Sequence, residues 1–488
     1  MTTAAPAPPS AEGTRQVLAN GVALLLAYVL PRVFTLGSVV LAARILGPET
    51  FGVYGTAAAF AVVFSILATL GMQPLLVREI ARAPERAGAL VRAAHVVKTG
   101  TNLVMLAAVG LAGPALLGTD GPARRAALVL AVGYALGAYA ENLGAYYQAV
   151  ERMGRWTQAS AIFGLVSGGV GAGLLLATGS VVMFCWGPAV GWAAALAWLR
   201  VRAPDGVGRP ESVRGADVRS LLRGLAPFAA AFIGITVYSK IDVLLLARVH
   251  GDAAVGVYAA AYKFVDLFQA LVIVAAAAVY PRLSRTAVSG GPSAQWRGGR
   301  STEVVLLAAV PAGIGLHLLA APLTAVLFGA AYEASVPALR LLALLLPLLA
   351  VSIHGGYVLG AAGRMRAVAA LYGVGLVINV ALNLVAIPAF GPPGAALSRL
   401  ASEAVLMVGF LAVLRSAGAG ARGRVLALAG AAAGLGLAVS LLPDPSGGWL
   451  RAAIAAVAWG VLYVRAGAWT PGEAEAVRSG LAGWRTAA

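Results

Sequence analysis

Long uninterrupted runs of apolar residues, rather than alternating apolar and polar positions, dominate the chain from about residue 17 to residue 467. Roughly 20 apolar residues are needed for a helix to cross a bilayer. The pattern therefore predicts an all-α polytopic membrane protein with about fourteen transmembrane helices, numbered here spans 1 to 14. They lie at about 17–44, 52–76, 93–117, 126–149, 157–178, 181–199, 225–248, 254–280, 303–326, 336–361, 368–389, 394–414, 424–442 and 448–467.

The composition supports this reading and excludes a soluble enzyme. Hydrophobic residues make up 60% of the chain and charged residues only 11%, whereas soluble domains carry about 25% charged residues. The mean hydropathy of +0.86 agrees. Only one cysteine is present, Cys185, so no internal disulfide framework exists.

The basic residues predict the orientation of the chain. With the N-terminus placed in the cytoplasm, 25 of the 36 Lys and Arg residues fall in cytoplasmic segments and six at external ends. This asymmetry is the positive-inside signal. It predicts a multi-pass protein of the cytoplasmic membrane, with both termini and the long connections 200–224 and 281–302 in the cytoplasm. It also explains the net charge of +17 without a nucleic-acid partner.

Residues 41–60 and 245–264 are two copies of one sequence pattern. At an offset of 204, nine of the twenty positions are identical, including both glycines and the tyrosine of Gly–x4–Gly–Val–Tyr. A second similarity links Gly144, Arg152 and Met153 to Gly356, Arg364 and Met365. Because an even number of spans separates the copies, both cross the membrane in the same direction. Transporters built from such parallel repeats bind substrate between their halves.

The repeat predicts a domain organisation of two six-helix lobes with two appended helices. The predicted segments are a cytoplasmic tail (1–16), an N-lobe (17–200), a cytoplasmic linker (201–224), a C-lobe (225–414), spans 13 and 14 (424–467) and a second cytoplasmic tail (468–488). No loop is large enough for a soluble active site. The chain has no P-loop, and its four histidines lack the spacing of metal ligands. We therefore expect no enzyme activity, no metal and no cofactor.

Ionisable residues inside the spans are the candidates for function. A charge at the bilayer centre costs roughly 2.5–3.5 kcal/mol, so such residues normally face a partner or an aqueous cavity. Lys98, near a span end, is expected to extend to the interface. An ion-pair set that only holds helices together is the structural alternative for the others. The intramembrane candidates are Arg32, Glu141, Lys240, Asp242, Lys263, Asp266, Arg399 and Glu403.

Helix geometry groups several of these candidates. Lys263 and Asp266 are three positions apart in span 8 and share one helix face. Arg399 and Glu403 are four positions apart in span 12 and share another. Lys240 in span 7 lies in the same outer half of the membrane as the span 8 pair. We therefore expect a charged zone where spans 7 and 8 meet.

Three stretches resemble the bacterial oligosaccharide flippases of the O-antigen, Wzx-like type. They are LAARILGPETFGVYGTAAAFAVVFSILATLGMQPLLVRE at the first hairpin, PFAAAFIGITVYSKIDVLLLARVHGDAAVGVYAAAYKFVD at the second, and INVALNLVAIPAFGPPGAALS between spans 11 and 12. The same superfamily contains the lipid II flippases and the multidrug-and-toxin-extrusion exporters. The lipid II branch has an arginine–aspartate pair six residues after its first arginine. Ser38 and Val39 stand there in this chain.

The resemblance implies a MATE-like fold and a role in cell-surface polysaccharide or lipopolysaccharide biosynthesis. The implied substrate is a polyprenyl-pyrophosphate-linked oligosaccharide, whose phosphates or acidic sugars would meet Arg32, Lys240 and Lys263. The carboxylates Asp242 and Asp266 would take a coupling proton or Na⁺. Glu141, Arg399 and Glu403 would couple ions or form pairs. The implied partners are the bilayer, glycosyltransferases and a polysaccharide polymerase.

Three other functions stay open at this stage. A lipid II flippase and a multidrug or cation antiporter would share the fold. A non-transporting scaffold of an envelope-synthesis complex would tolerate neutralisation of its buried charges.

Overall fold

The computed structural model describes residues 11–465, apart from Asp120, Glu151 and residues 204–206, 208–212, 290–291, 419–420, 422, 444–445 and 447. Side chains are described from Val33 onward, except those of residues 226–228, 230–231, 274–275, 277–298, 424 and 464–465. Throughout this part of the chain the backbone is helical or forms short turns, and contains no β-strand. The prediction of an all-α protein is confirmed.

Within the described residues, each of the fourteen predicted spans lies on mainly helical backbone, with a break between two helices inside spans 2, 6 and 9. Nine helical stretches of the fully described residues are long and apolar enough to cross a membrane. Two short 3-10 helices lie at Pro84–Arg86 and Ala330–Ser335. The α-helices are α1 (Ala11–Thr69), α2 (Met72–Arg82), α3 (Ala87–Leu117), α4 (Pro122–Ala149), α5 (Met153–Thr178), α6 (Val181–Phe184), α7 (Trp186–Val201), α8 (Gly215–Ser289), α9 (Pro292–Leu318), α10 (Ala320–Leu327), α11 (Val336–Ala361), α12 (Met365–Phe390), α13 (Pro392–Ser416), α14 (Gly423–Ser440) and α15 (Trp449–Arg465).

The sequence repeat recurs in the backbone at its two hairpin turns. Gly47 divides α1 into spans 1 and 2 with φ 71° and ψ 172°. Gly251, 204 residues later, divides α8 into spans 7 and 8 with φ 76° and ψ −177°. A positive φ with extended ψ is accessible to glycine and strained for other residues. The two copies therefore turn in the same way at equivalent positions.

The two hairpin turns pack directly against each other. A Cβ atom added to Gly52 would lie 1.7 Å from the carbonyl oxygen of Asp252, and one added to Gly256 would lie 1.8 Å from that of Pro48. Pro48 and Asp252 are themselves equivalent positions of the repeat, so the contact is reciprocal. The Thr56 hydroxyl donates to Asp252 Oδ1 over 2.7 Å and ties the same two turns together.

Span 2 ends in a break that the hydropathy pattern does not indicate. Leu70 (φ 44°) and Gly71 (φ 69°) interrupt the helix, and the amphipathic helix α2 follows. The prediction that Lys98 extends to the interface is wrong. Its side chain is buried, and Nζ donates to the carbonyl oxygens of Ala68 (2.6 Å) and Thr69 (3.3 Å). A cation there satisfies carbonyls that the broken helix leaves without partners.

Helices also extend beyond several predicted span ends. The backbone is helical through most of the predicted connection 281–302, because α8 continues to Ser289 and α9 begins at Pro292. Helix α8 begins at Gly215, within the predicted linker 201–224. Charged residues end the apolar run without ending the helix, so hydropathy marks the membrane boundary rather than the helix boundary.

The described residues form two compact units. One comprises residues up to Leu267 together with Tyr372–Ala395, and the other comprises Phe268–Leu371 with the residues from Ala396 onward. In the first unit, α5 packs against α7 and α1, and α4 packs against α1, α3 and α7. In the second unit, α14 and α15 pack on α9. Trp459 Nε1 donates to the Ala432 carbonyl, and the Tyr463 hydroxyl donates to the Leu307 carbonyl.

Candidate functional site

A cavity of about 320 Å³ lies inside the first unit. Five helical segments surround it: span 1, the start of span 2, span 5, span 6 and the middle of span 8. Its lining combines hydroxyl groups, aromatic rings and one pair of opposite charges. The lining residues are Thr35, Leu36, Ser38, Val39, Tyr54, Phe163, Ser167, Phe184, Pro188, Lys263, Asp266 and Leu267.

Lys263 and Asp266 supply the charges of this cavity. They are one helical turn apart in span 8, and Lys263 Nζ lies 3.0 Å from Asp266 Oδ2. The side chains keep 24% and 36% of their surface accessible, so the pair is open to the cavity. A partly exposed pair holds its charges at modest desolvation cost. It can therefore offer a donor and an acceptor to a bound molecule.

Lys240 and Asp242 do not line this cavity. Asp242 is fully buried. Its Oδ2 accepts a 2.7 Å hydrogen bond from the Tyr258 hydroxyl, and its Oδ1 accepts from the Val243 amide. Lys240 Nζ lies 5.0 Å from the centre of the Tyr262 ring, which is a cation–π contact. The structure thus separates these two charges from each other, since residues two positions apart on a helix do not share a face, and engages each with a tyrosine of span 8.

Tyr54 is an uncharged cavity residue and is therefore not among the intramembrane charges predicted from the sequence. Its ring stacks on Phe51 at 5.7 Å and meets Phe184 edge-on at 5.3 Å. Lys263 and Asp266 both act electrostatically on its hydroxyl. The available signal was its place in the repeat, since Tyr54 and Tyr258 are equivalent. The hydroxyl-bearing residues Thr35, Ser38 and Ser167 had no signal, because single hydroxyls are common in membrane helices.

Arg32 and Glu141 are not among the described residues that line the cavity. The Arg32 side chain falls outside the described residues, although its backbone belongs to α1 one turn before the cavity residue Thr35. Glu141 interacts electrostatically with Lys98 and does not line the cavity. Its neighbour Asn142 is fully buried.

The charged residues of span 12 belong to the second unit. Arg399 and Glu403 are both buried there, and both have interaction partners. The same unit contains a buried ion pair where the predicted connection 281–302 meets span 9: Arg300 Nη1 lies 3.0 Å from Glu303 Oε2. The hydropathy pattern gave no sign that Arg300 is buried. Among the described residues no cluster of three or more His, Cys, Asp or Glu has the arrangement of a metal site.

Solved structures identify the fold of this chain. A lipid II flippase, MurJ, in an inward closed conformation superposes with a TM-score of 0.70 and 14% identity, over 91% of this chain and 99% of that one. A multidrug resistance MATE transporter of the MOP superfamily superposes with a TM-score of 0.66 and 14% identity, over 81% of this chain and 99% of that one. A MOP superfamily transporter from Pyrococcus furiosus superposes with a TM-score of 0.56 and 16% identity, over 82% of this chain and 95% of that one. The chain is an integral membrane protein with the MOP superfamily fold.

Two family models match the sequence of this chain. Residues 17–287 match the family described as polysaccharide biosynthesis protein, and residues 227–385 match MatE. The first match covers more than half of the chain, which belongs to the polysaccharide biosynthesis protein family. No curated protein matches the chain. The similar structures are described as a flippase and transporters, which agrees at a coarse level with the expectation that the chain is not an enzyme.

Proposed function

We propose that this protein is a flippase for polyprenyl-pyrophosphate-linked oligosaccharides. It would move repeat units of a cell-surface polysaccharide, such as the O-antigen of lipopolysaccharide, from the inner to the outer leaflet of the cytoplasmic membrane. The observation that carries the proposal is the Lys263–Asp266 pair, accessible in a hydroxyl-lined cavity. Membership of the polysaccharide biosynthesis protein family supports it.

The physical task is to shield a hydrophilic head group while the polyprenyl tail stays in lipid. Sugars and pyrophosphate cannot cross hydrocarbon without replacing their hydrogen bonds to water. A hydroxyl-lined cavity with an accessible ion pair supplies such replacements, and no covalent step is needed. An inside-negative potential drives an anionic head group outward by about 2.3 kcal/mol per charge per 100 mV. Proton or Na⁺ coupling through Asp266 would add to that drive.

Five of the eight intramembrane candidates enter this proposal. Lys263 and Asp266 contact the head group directly. Arg32 would meet the head group from span 1, where it stands three positions before the cavity residue Thr35. Lys240 and Asp242 do not line the cavity and would hold span 7 against span 8 through Tyr262 and Tyr258. Glycosyltransferases and a polymerase would supply and consume the substrate.

Alternating access is the proposed transport mechanism. The cavity opens to one face of the membrane at a time, as in transporters with parallel repeats. The contact between the Gly47 and Gly251 turns lies at the predicted outer end of the spans. That contact would have to part before a head group could leave outward.

Lipid II is the second candidate substrate, because the chain superposes well on a lipid II flippase. Ser38 and Val39, which replace the arginine–aspartate pair of that branch, favour the oligosaccharide. Measuring the transfer of both lipids in the same assay distinguishes between the two candidate substrates.

The test is reconstitution of the purified protein into proteoliposomes with a fluorescent lipid-linked oligosaccharide or fluorescent lipid II. Transfer to the opposite leaflet is followed by quenching with a reagent that cannot cross the membrane. We expect transfer of the oligosaccharide lipid, its loss in Lys263→Ala, and partial transfer in Lys263→Arg, since charge is kept while geometry changes. Arg415→Ala, at an exposed arginine, is the matched control and should transfer normally.

A double variant separates binding from helix packing. If the pair serves packing only, Lys263→Ala lowers folded yield because Asp266 loses its partner, and Lys263→Ala with Asp266→Ala restores both yield and transfer. Under the proposal the double variant folds but does not transfer. A well-folded double variant with normal transfer would remove the pair from the site. Faster transfer of lipid II than of the oligosaccharide lipid would identify lipid II as the substrate in place of the oligosaccharide.

A further inference from the structure

Tyr54 and Tyr258 occupy equivalent positions of the repeat, but their hydroxyl groups have different surroundings. The Tyr258 hydroxyl is held by Asp242 at 2.7 Å. The residue equivalent to Asp242 in the first copy, 204 positions earlier, is Ser38. Ser38 donates to the Thr35 carbonyl over 2.8 Å. The first copy therefore lacks the carboxylate that engages the tyrosine of the second copy, and its tyrosine borders the cavity instead.

The described lining of the cavity carries no excess positive charge. Its single cation, Lys263, is paired with its single anion, Asp266, at 3.0 Å. Recognition of phosphate normally uses unpaired cations in charge-assisted hydrogen bonds. The remaining polar groups are hydroxyls, which donate and accept equally well. The rings of Phe163 and Phe184 add apolar walls.

These features fit a neutral sugar ring better than a pyrophosphate. A sugar ring has hydroxyl groups around its edge and apolar C–H faces. Ligand sites of this kind combine apolar and aromatic walls with a few placed polar groups that fix orientation. The ion pair offers Nζ to one sugar hydroxyl and a carboxylate oxygen to another.

Building on the proposed flippase function, we propose that this cavity holds an uncharged sugar of the substrate head group, with the Tyr54 hydroxyl selecting it. Ser38 determines that selectivity, because a carboxylate at position 38 would engage Tyr54 as Asp242 engages Tyr258. The pyrophosphate then lies outside the described lining residues.

The test measures protection of a cysteine in the cavity from a thiosulfonate reagent. Ser167→Cys is made in a Cys185→Ala background, and the probes are a panel of neutral hexoses and N-acetylhexosamines against inorganic pyrophosphate. We expect at least one sugar to slow labelling and pyrophosphate to leave it unchanged. Tyr54→Phe keeps the ring contacts with Phe51 and Phe184, and should raise the half-protecting sugar concentration about 5- to 10-fold for one lost hydrogen bond. Ser38→Asp should do the same.

Tyr258→Phe is the matched control, since it removes the equivalent hydroxyl from a position outside the cavity. In its folded fraction, protection by sugar should equal that of the parent. Protection by pyrophosphate alone, protection by none of the probes, or equal protection in Tyr54→Phe would overturn the sugar assignment. Transfer of the lipid-linked oligosaccharide, measured separately in proteoliposomes, decides the flippase function itself, so the two failures are distinguishable.

Discussion

Replacing Gly256 by alanine tests how closely the two hairpin turns pack. The new Cβ would lie 1.8 Å from the Pro48 carbonyl oxygen, so the backbones would have to separate by about 1.6 Å to reach the 3.4 Å of ordinary contact. Backbone atoms cannot rotate away as a side chain would. Overpacking of this kind costs about 3 kcal/mol at the upper end of its usual range, and the better helix propensity of alanine offsets about 1 kcal/mol. We therefore expect a net loss of about 2 kcal/mol.

The single cysteine provides the assay. Cys185 is buried in the first unit, so a fluorogenic maleimide labels it only as the protein unfolds. Heating the detergent-solubilised variant with this dye should give a lower midpoint than the parent. Gly100→Ala is the matched control, because no atom lies within 4 Å of its added Cβ, and its midpoint should stay the same or rise. A Gly256→Ala protein as stable as the parent would refute the close contact between the turns.

Three further outcomes follow from the described contacts and the predicted topology. Lys98→Met should lower the same unfolding midpoint by the equivalent of about 1–2 kcal/mol, because the carbonyls at the break in span 2 lose their donor; an unchanged midpoint would mean that water replaces the lysine. Tyr258→Phe should lower the free energy of unfolding by about 1–3 kcal/mol, because the hydrogen bond to Asp242 is lost. A decrease as small as that of a surface substitution would contradict the buried hydrogen bond. Cysteines introduced in the connections 200–224 and 281–302, with Cys185 removed, should be shielded from an impermeant thiol reagent added to intact cells; labelling of both from outside would reverse the topology.

The positions of the spans could be predicted from sequence because apolar run length is a direct consequence of bilayer thickness. The break at Leu70 and Gly71 could not, since both residues lie inside one apolar run. What stabilises the break is Lys98, a residue of another helix. Hydropathy records how a residue partitions into lipid and contains no information on which distant carbonyl a side chain will reach.

The candidate site could be predicted only where local helix geometry determines the contact between two residues. The i,i+3 spacing of Lys263 and Asp266 was sufficient to predict their pairing, because helix geometry alone brings them together. Tyr54, Ser38 and Ser167 come from three different spans, and only the packing of those helices places them around one cavity. The burial of Arg300 was not predicted, because hydropathy gives no sign of how the folded chain covers a charged residue at the end of an apolar run. The lobe boundaries and the roles of the intramembrane charges stay predictions.

The reciprocal contact of the two glycine pairs has the form of an isologous interface. Gly52 meets Asp252 while Gly256 meets Pro48, which is the relation between two identical subunits across a two-fold axis. Duplication and fusion of the gene of a symmetric dimer would produce such geometry. In this chain the two copies differ, because a carboxylate holds the tyrosine of one copy while a serine stands at the equivalent position of the other. A single chain can thereby have an asymmetric binding site within a symmetric scaffold, which two identical subunits could not provide.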